Sequence, residues 1–214
     1  MTARIDLGFL PICAAALCLA FMVGGFSTTS ATRYFPESLS NEQLSCSGRK
    51  APLLSEIRRD WYSRQLGAAG EPSLFQMSTK APPLSTSYRF TWLRSFHNPV
   101  TVRIDLGRDG RFLMTAKRLS GAGGYGPGTV SNQIIRPLNS DEQKKIVALI
   151  KRTDVLHQPP VDCTLGTDGA EWIIEANENG AYHFINRWTM DGGPVHEVGL
   201  AFLALTGWNL DPIY

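Results

Sequence analysis

Residues 166–188, GTDGAEWIIEANENGAYHFINRW, constrain the fold more than any other stretch of this chain. Asn179-Gly180 at the centre is a strong signal for a two-residue type I′ hairpin turn, which needs positive φ at both central residues. With that turn in place the register follows: Glu178 faces Ala181, Ala176 faces His183, Ile174 faces Ile185 and Trp172 faces Arg187. On the opposite face Glu175 pairs with Phe184, Ile173 with Asn186 and Glu171 with Trp188. Both faces mix apolar and polar side chains, so neither reads as a plain solvated surface. A ribbon this apolar is unstable alone and needs helices to cover it.

The sequence on either side supplies further strands and those helices. Residues 100–106 alternate Val100, Val102, Ile104 and Leu106 inward against Thr101, Arg103 and Asp105 outward. Their partner runs over 111–119 through the loop Arg108-Asp109-Gly110, with Gly110 left-handed. This sets Leu106 against Phe112, Ile104 against Met114 and Val102 against Ala116. A two-residue loop would put Val102 opposite Lys117, so apolar pairing selects the bulged turn. Residues 88–96 and 129–136 read as two more strands. Residues 52–66 carry Leu53, Leu54, Ile57, Trp61 and Leu66 at helical spacing and stop at Gly67. Ser140 and Gln143 form a capping-box pattern opening a helix to about residue 153. Residues 195–205 are apolar on most sides and end before Gly207, which predicts a buried helix over the hairpin. Residues 32–50 read as irregular, with a short helical turn starting at Ser40; 68–86 and 154–168 read as loops. The order predicts an α+β fold, an antiparallel sheet of about six strands covered by two or three helices.

Composition matters chiefly for class and compartment. The 214 residues are 43% hydrophobic and 19% charged, which suits a globular domain with a real core. Net charge is +2, from 21 basic and 19 acidic residues without a Lys/Arg run, which argues against a nucleic-acid partner. Residues 7–26 are uncharged and almost wholly apolar, Arg4 precedes them, and Thr29-Ser30-Ala31 offers a cleavage site. Residues 1–31 therefore read as a secretory signal peptide or an N-terminal membrane anchor. Leu17 before Cys18 is not the small residue a lipoprotein needs. Both readings place a single domain, 32–214, in the periplasm or anchored to the membrane by residues 7–26. Cys13 and Cys18 fall in the apolar segment, leaving Cys46 and Cys163 to pair in an oxidising space. The alternative is two separately buried thiols.

Several stretches resemble a family of uncharacterised exported bacterial proteins. They are Tyr34-Phe35-Pro36-Glu37, Glu71-Pro72-Ser73-Leu74, the glycine loop 121–128, Asp168-Gly169-Ala170-Glu171-Trp172, Tyr182-His183, Arg187-Trp188 and Leu205-Thr206-Gly207. The resemblance implies an exported single domain and carries no known activity.

Candidate chemistry is sparse. Gly121, Gly123 and Gly126 satisfy G-x-G-x-x-G, but Pro127-Gly128 and a strand follow where a dinucleotide site needs a helix. The loop is expected instead to present Tyr125 as a partner contact, with Gly123 and Gly124 in the binding surface. Trp172, His183 and Arg187 would extend that surface if the face is open, and Arg187 is expected over Trp172 as a cation–π pair. His183 could alternatively serve a hydrolase as general base with Glu175 or Asp168, and Glu178 is a diagonal carboxylate within its reach. No G-x-S-x-G elbow is present. His196-Glu197 starts no H-E-x-x-H, and His97 and His157 lie on separate segments, so neither metal nor cofactor is indicated. The leading expectation is a non-enzymatic envelope module binding an envelope protein or cell-wall component, one specific form being an inhibitor or immunity-like module; membrane contact is expected only through an uncleaved leader. The alternative is a periplasmic hydrolase.

Overall fold

The computed structural model describes Met1 and residues 32–80, 86–164 and 166–214. The apolar leader, its cleavage site, Cys13 and Cys18 lie outside the described residues.

The elements in chain order are α1 (Ser38–Asn41), β1 (Gln43–Cys46), β2 (Arg49–Pro52), α2 (Glu56–Ala68), α3 (Leu74–Lys80), β3 (Thr86–Arg94), β4 (Val100–Leu106), β5 (Phe112–Leu119), β6 (Val130–Pro137), α4 (Ser140–Thr153), a 3-10 turn (Val155–His157), β7 (Ala170–Glu178), β8 (Ala181–Trp188) and α5 (Pro194–Ala204). The last six strands make one antiparallel sheet in the order β6-β5-β4-β3-β7-β8, and β1 and β2 form a separate ribbon. The fold is α+β, as expected.

Local turn chemistry sets both hairpins at the predicted register. Asn179 and Gly180 take φ of 52° and 89°, and β7 meets β8 with Ala176 opposite His183 and Trp172 opposite Arg187. Gly110 takes φ 76°, and Leu106, Ile104 and Val102 face Phe112, Met114 and Ala116.

Both sheet faces are covered. One carries Phe90, Trp92, Val102, Ile104, Met114, Trp172 and Ile174 under α4, α5 and the 3-10 turn. Gly199 of α5 lets that helix approach closely, because a Cβ there would lie 2.7 Å from Trp172 and 2.8 Å from Phe90. The other face carries Leu93, Ile173 and Phe184 under Tyr34, Phe35, Leu39, Leu54, Tyr62 and Leu66. Thr101, read as outward, is therefore buried and Arg103 half-buried. Cys46 and Cys163 are bridged, with Cα atoms 5.5 Å apart, tying β1 to the loop before β7.

Four expectations change. Residues 32–50 are ordered into α1 and the β1–β2 ribbon, and Ser40 lies inside α1. The loop over 68–86 contains α3, whose first turn is capped by Ser73 Oγ accepting from Gln76 N at 3.0 Å. The capping box of α4 sits one residue earlier, on Asn139 and Glu142. Asn139 Oδ1 accepts from Asp141 N and Glu142 N, and Glu142 also binds Arg136; Gln143 instead donates to Gly110 O. Finally, α2 starts after Ser55 and buries Tyr62, Gln65 and Leu66, leaving Ile57 82% exposed. Gln65 is buried with its Nε2 donating to Gly123 O and Tyr125 O, so a polar residue takes a place on the buried face.

Candidate functional site

The glycine loop is held by contacts that its composition does not reveal. Gly123 N donates to His97 O and Gly124 N to Ser95 O, which zips the loop onto the β3–β4 turn. From α2, Trp61 Nε1 donates to Gly123 O at 2.6 Å and Gln65 Nε2 donates to the same oxygen at 3.0 Å. A Cβ on Gly123 would lie 2.5 Å from Arg94 O and 2.7 Å from Arg94 N, both main-chain atoms, so only glycine permits this approach. Gly123 and Gly124 thus serve the loop's packing. The loop carries Tyr125 at its tip, 66% exposed, beside Phe96 of the β3–β4 turn, 57% exposed. Their ring centroids are 6.2 Å apart. Two exposed aromatic rings on a rigid base form a preorganised contact pair.

Trp172 does not join that surface. It is 0% exposed, packed against Phe90, Trp92 and His196, with its indole N–H donating to Tyr214 O. Arg187 does not stack on it either: its guanidinium donates to Asn186 O and Pro159 O and lies 3.5 Å from Asp162. These acceptors cluster around the guanidinium, while helix α5 occupies the space over the indole. The cation–π pair forms elsewhere, with Arg94 4.1 Å above Trp92.

The residues proposed for hydrolysis are separated. His183 and Glu175 lie on opposite faces of β7–β8, since Glu175 pairs with Phe184 and His183 with Ala176. Glu175 accepts from Arg89 at 2.6 Å and from Tyr182 OH at 2.8 Å. Asp168 is exposed and lies beyond Ala170, six residues along the strand from Ala176; that is about 20 Å at the usual strand rise. Glu178, on His183's face, is instead bonded by the Tyr88 hydroxyl. His183 Nδ1 bonds Leu156 O at 3.1 Å, and its ring meets His157.

The structure also assembles a charge cluster that spacing alone hid. Arg89 and Arg103 are direct cross-strand partners, and Lys117 follows on β5. Like charges so placed repel. Glu71, from the segment before α3, neutralises them: it lies 2.8 Å from Arg103, 2.9 Å from Lys117 and 3.7 Å from Arg89. Burial works against the charged form of Glu71, yet these three cations outweigh it and hold its pKa below the ordinary carboxylate value. Arg89, 0% exposed, also donates to Glu175 and to Pro72 O at 2.6 Å, and Asp105 pairs with Arg103. Every charge has an opposite neighbour, so the cluster joins layers instead of opening a reactive centre. Another buried carboxylate, Glu171, meets Asn186 Nδ2 at 2.7 Å and Arg58 at 3.3 Å. Burial dominates there and raises its pKa, with Arg58 opposing.

Among the described residues, no group of three or more His, Cys, Asp and Glu is placed to hold a metal ion, and no helix is long and apolar enough to cross a membrane. No family model matches this chain, and no curated protein matches it.

Proposed function

We propose that this protein is an exported, non-enzymatic envelope module that engages a protein partner through Phe96 and Tyr125. The observation that carries the reading is this exposed ring pair on a loop pinned by Trp61, Gln65 and the β3–β4 turn. Aromatic side chains held in place lose little conformational freedom on binding and recur as interface anchors. An envelope protein with an apolar cleft is the partner that suits two adjacent rings, and blockade of a lytic or toxic enzyme is the form of activity that requires no catalysis. The apolar leader and the Cys46–Cys163 bridge support an oxidising compartment. The hydrolase alternative has no geometric support, because His183 and its intended carboxylates are kept apart.

The test is affinity capture from native envelopes with C-terminally tagged chain, beside a Phe96→Ala/Tyr125→Ala variant. Both side chains are largely exposed, so the variant should melt with the wild type, within about 0.5 kcal/mol per site. A near-stoichiometric protein retained by the wild type and lost from the variant is the expected result. Equal capture by both, or none by either, refutes the reading. Recovery of full-length chain from the soluble cytoplasm refutes the export.

A further inference from the structure

We propose that His157 and His183 together form a binding site for a borderline divalent transition-metal ion such as Zn2+, with water completing its coordination. They are 26 residues apart in sequence, and the 3-10 turn brings His157 against β8 with ring centroids 6.0 Å apart at an interplanar angle of 84°. Two imidazoles bound through Nε2 to one tetrahedral ion at about 2.0–2.1 Å have ring centres roughly 5–6 Å apart. The observed spacing lies at the upper end of that range, and the His157 side chain is 72% exposed.

The Nδ1 nitrogen of each ring already has an acceptor. His183 Nδ1 lies 3.1 Å from Leu156 O, a main-chain carbonyl that can only accept, so this nitrogen carries the proton. His157 Nδ1 lies 2.6 Å from Asp154 Oδ1, a carboxylate, and again donates. In the tautomer that makes these two bonds, each ring keeps an Nε2 lone pair available. A carbonyl or carboxylate behind each imidazole is the arrangement that orients histidine ligands and raises their basicity. Imidazole favours Zn, Cu and Ni over Mg or Ca, which prefer oxygen donors. Two protein ligands leave positions open to water, consistent with a regulatory or accessory ion more than a structural one.

Zinc binding to the full chain, in a Cys13→Ser/Cys18→Ser background that removes competing thiols, tests this. Titration calorimetry in a non-coordinating buffer should give one ion per chain. Affinity should fall at least tenfold in His157→Ala and in His183→Gln, fall several-fold in Asp154→Asn, and stay unchanged in His97→Ala. Zinc should raise the unfolding midpoint of the parent but not of either His157 or His183 variant, with the metal-free midpoints serving as the folding control. Absence of binding at millimolar zinc, or affinity unchanged in either of those two variants, overturns the proposal.

Discussion

Among the described residues, Arg89 is the one cation that reaches Glu175, and replacing it by methionine removes it. Arg89 is fully buried and donates to Glu175 Oε2 from both Nε and Nη2, at 3.0 and 2.6 Å, and to Pro72 O from Nη1. After the change Glu175 keeps, among the described residues, the Tyr182 hydroxyl at 2.8 Å, while Glu71 keeps Arg103 and Lys117. One carboxylate is stranded in the interior, and breaking a buried pair in this way costs about 3–5 kcal/mol. At about 2–4 °C per kcal/mol for a domain of this size, the midpoint should drop by roughly 6–20 °C. Glu175→Leu leaves the arginine with Glu71 at 3.7 Å and with Pro72 O, so it should cost less than Arg89→Met. The double variant Arg89→Met/Glu175→Leu removes both charges, and its loss should fall short of the sum of the singles by at least about 2 kcal/mol. Urea unfolding of the four proteins, with the slopes checked for constancy, measures this coupling. Additivity within about 0.5 kcal/mol would show that the two groups do not hold each other and would refute the reasoning.

Cys46→Ser/Cys163→Ser opens a bridge spanning a sequence separation of 117; the chain-entropy treatment of such a loop predicts a loss of about 5 kcal/mol, read as a lower urea midpoint, and a change below about 1 kcal/mol would contradict it. Gly123→Ala should destabilise by about 1–3 kcal/mol because its Cβ meets the Arg94 backbone, whereas Gly126→Ala, which meets nothing within 4 Å, should leave the melting curve in place. Equal effects at both glycines would argue against a packed loop. The raised pKa of Glu171 means that the folded state holds its proton more tightly than the unfolded state, so this group's contribution is fully present below the ordinary value of 4.5 and is lost as pH rises through the raised value. Glu171→Gln lacks that loss, so its stability relative to wild type should improve from pH 4.5 upward; a difference independent of pH would refute the assignment. Glu71 acts in the opposite sense, its contribution being present above 4.5 and lost as pH falls through its lowered value.

Local sequence determined the six strands of the main sheet, the register of two hairpins and the class of fold, but not the β1–β2 ribbon. Asn179-Gly180 and Arg108-Asp109-Gly110 carry their backbone conformations with them, and period-two alternation then assigns each residue to a face. The pairing of Cys46 with Cys163 was legible from compartment and elimination. What the alternation does not encode is whether a face meets water. Thr101, Arg103 and Asp105 alternate as a solvated face would, yet α2 and the residues around α1 and α3 cover that side of the sheet. Short helices such as α3 bury too few apolar residues to show a clear period. Trp172 fell under α5 and left the surface, and Gly123 and Gly124 became packing elements once Trp61 and Gln65 reached them from α2. The same long-range packing brought His157 to His183 and Glu71 to Arg103 and Lys117. Dihedral preference and side-chain alternation act over a few residues and can be read in order. Burial and charge pairing depend on which distant segments fill the space above a strand, and only the tertiary structure decides that.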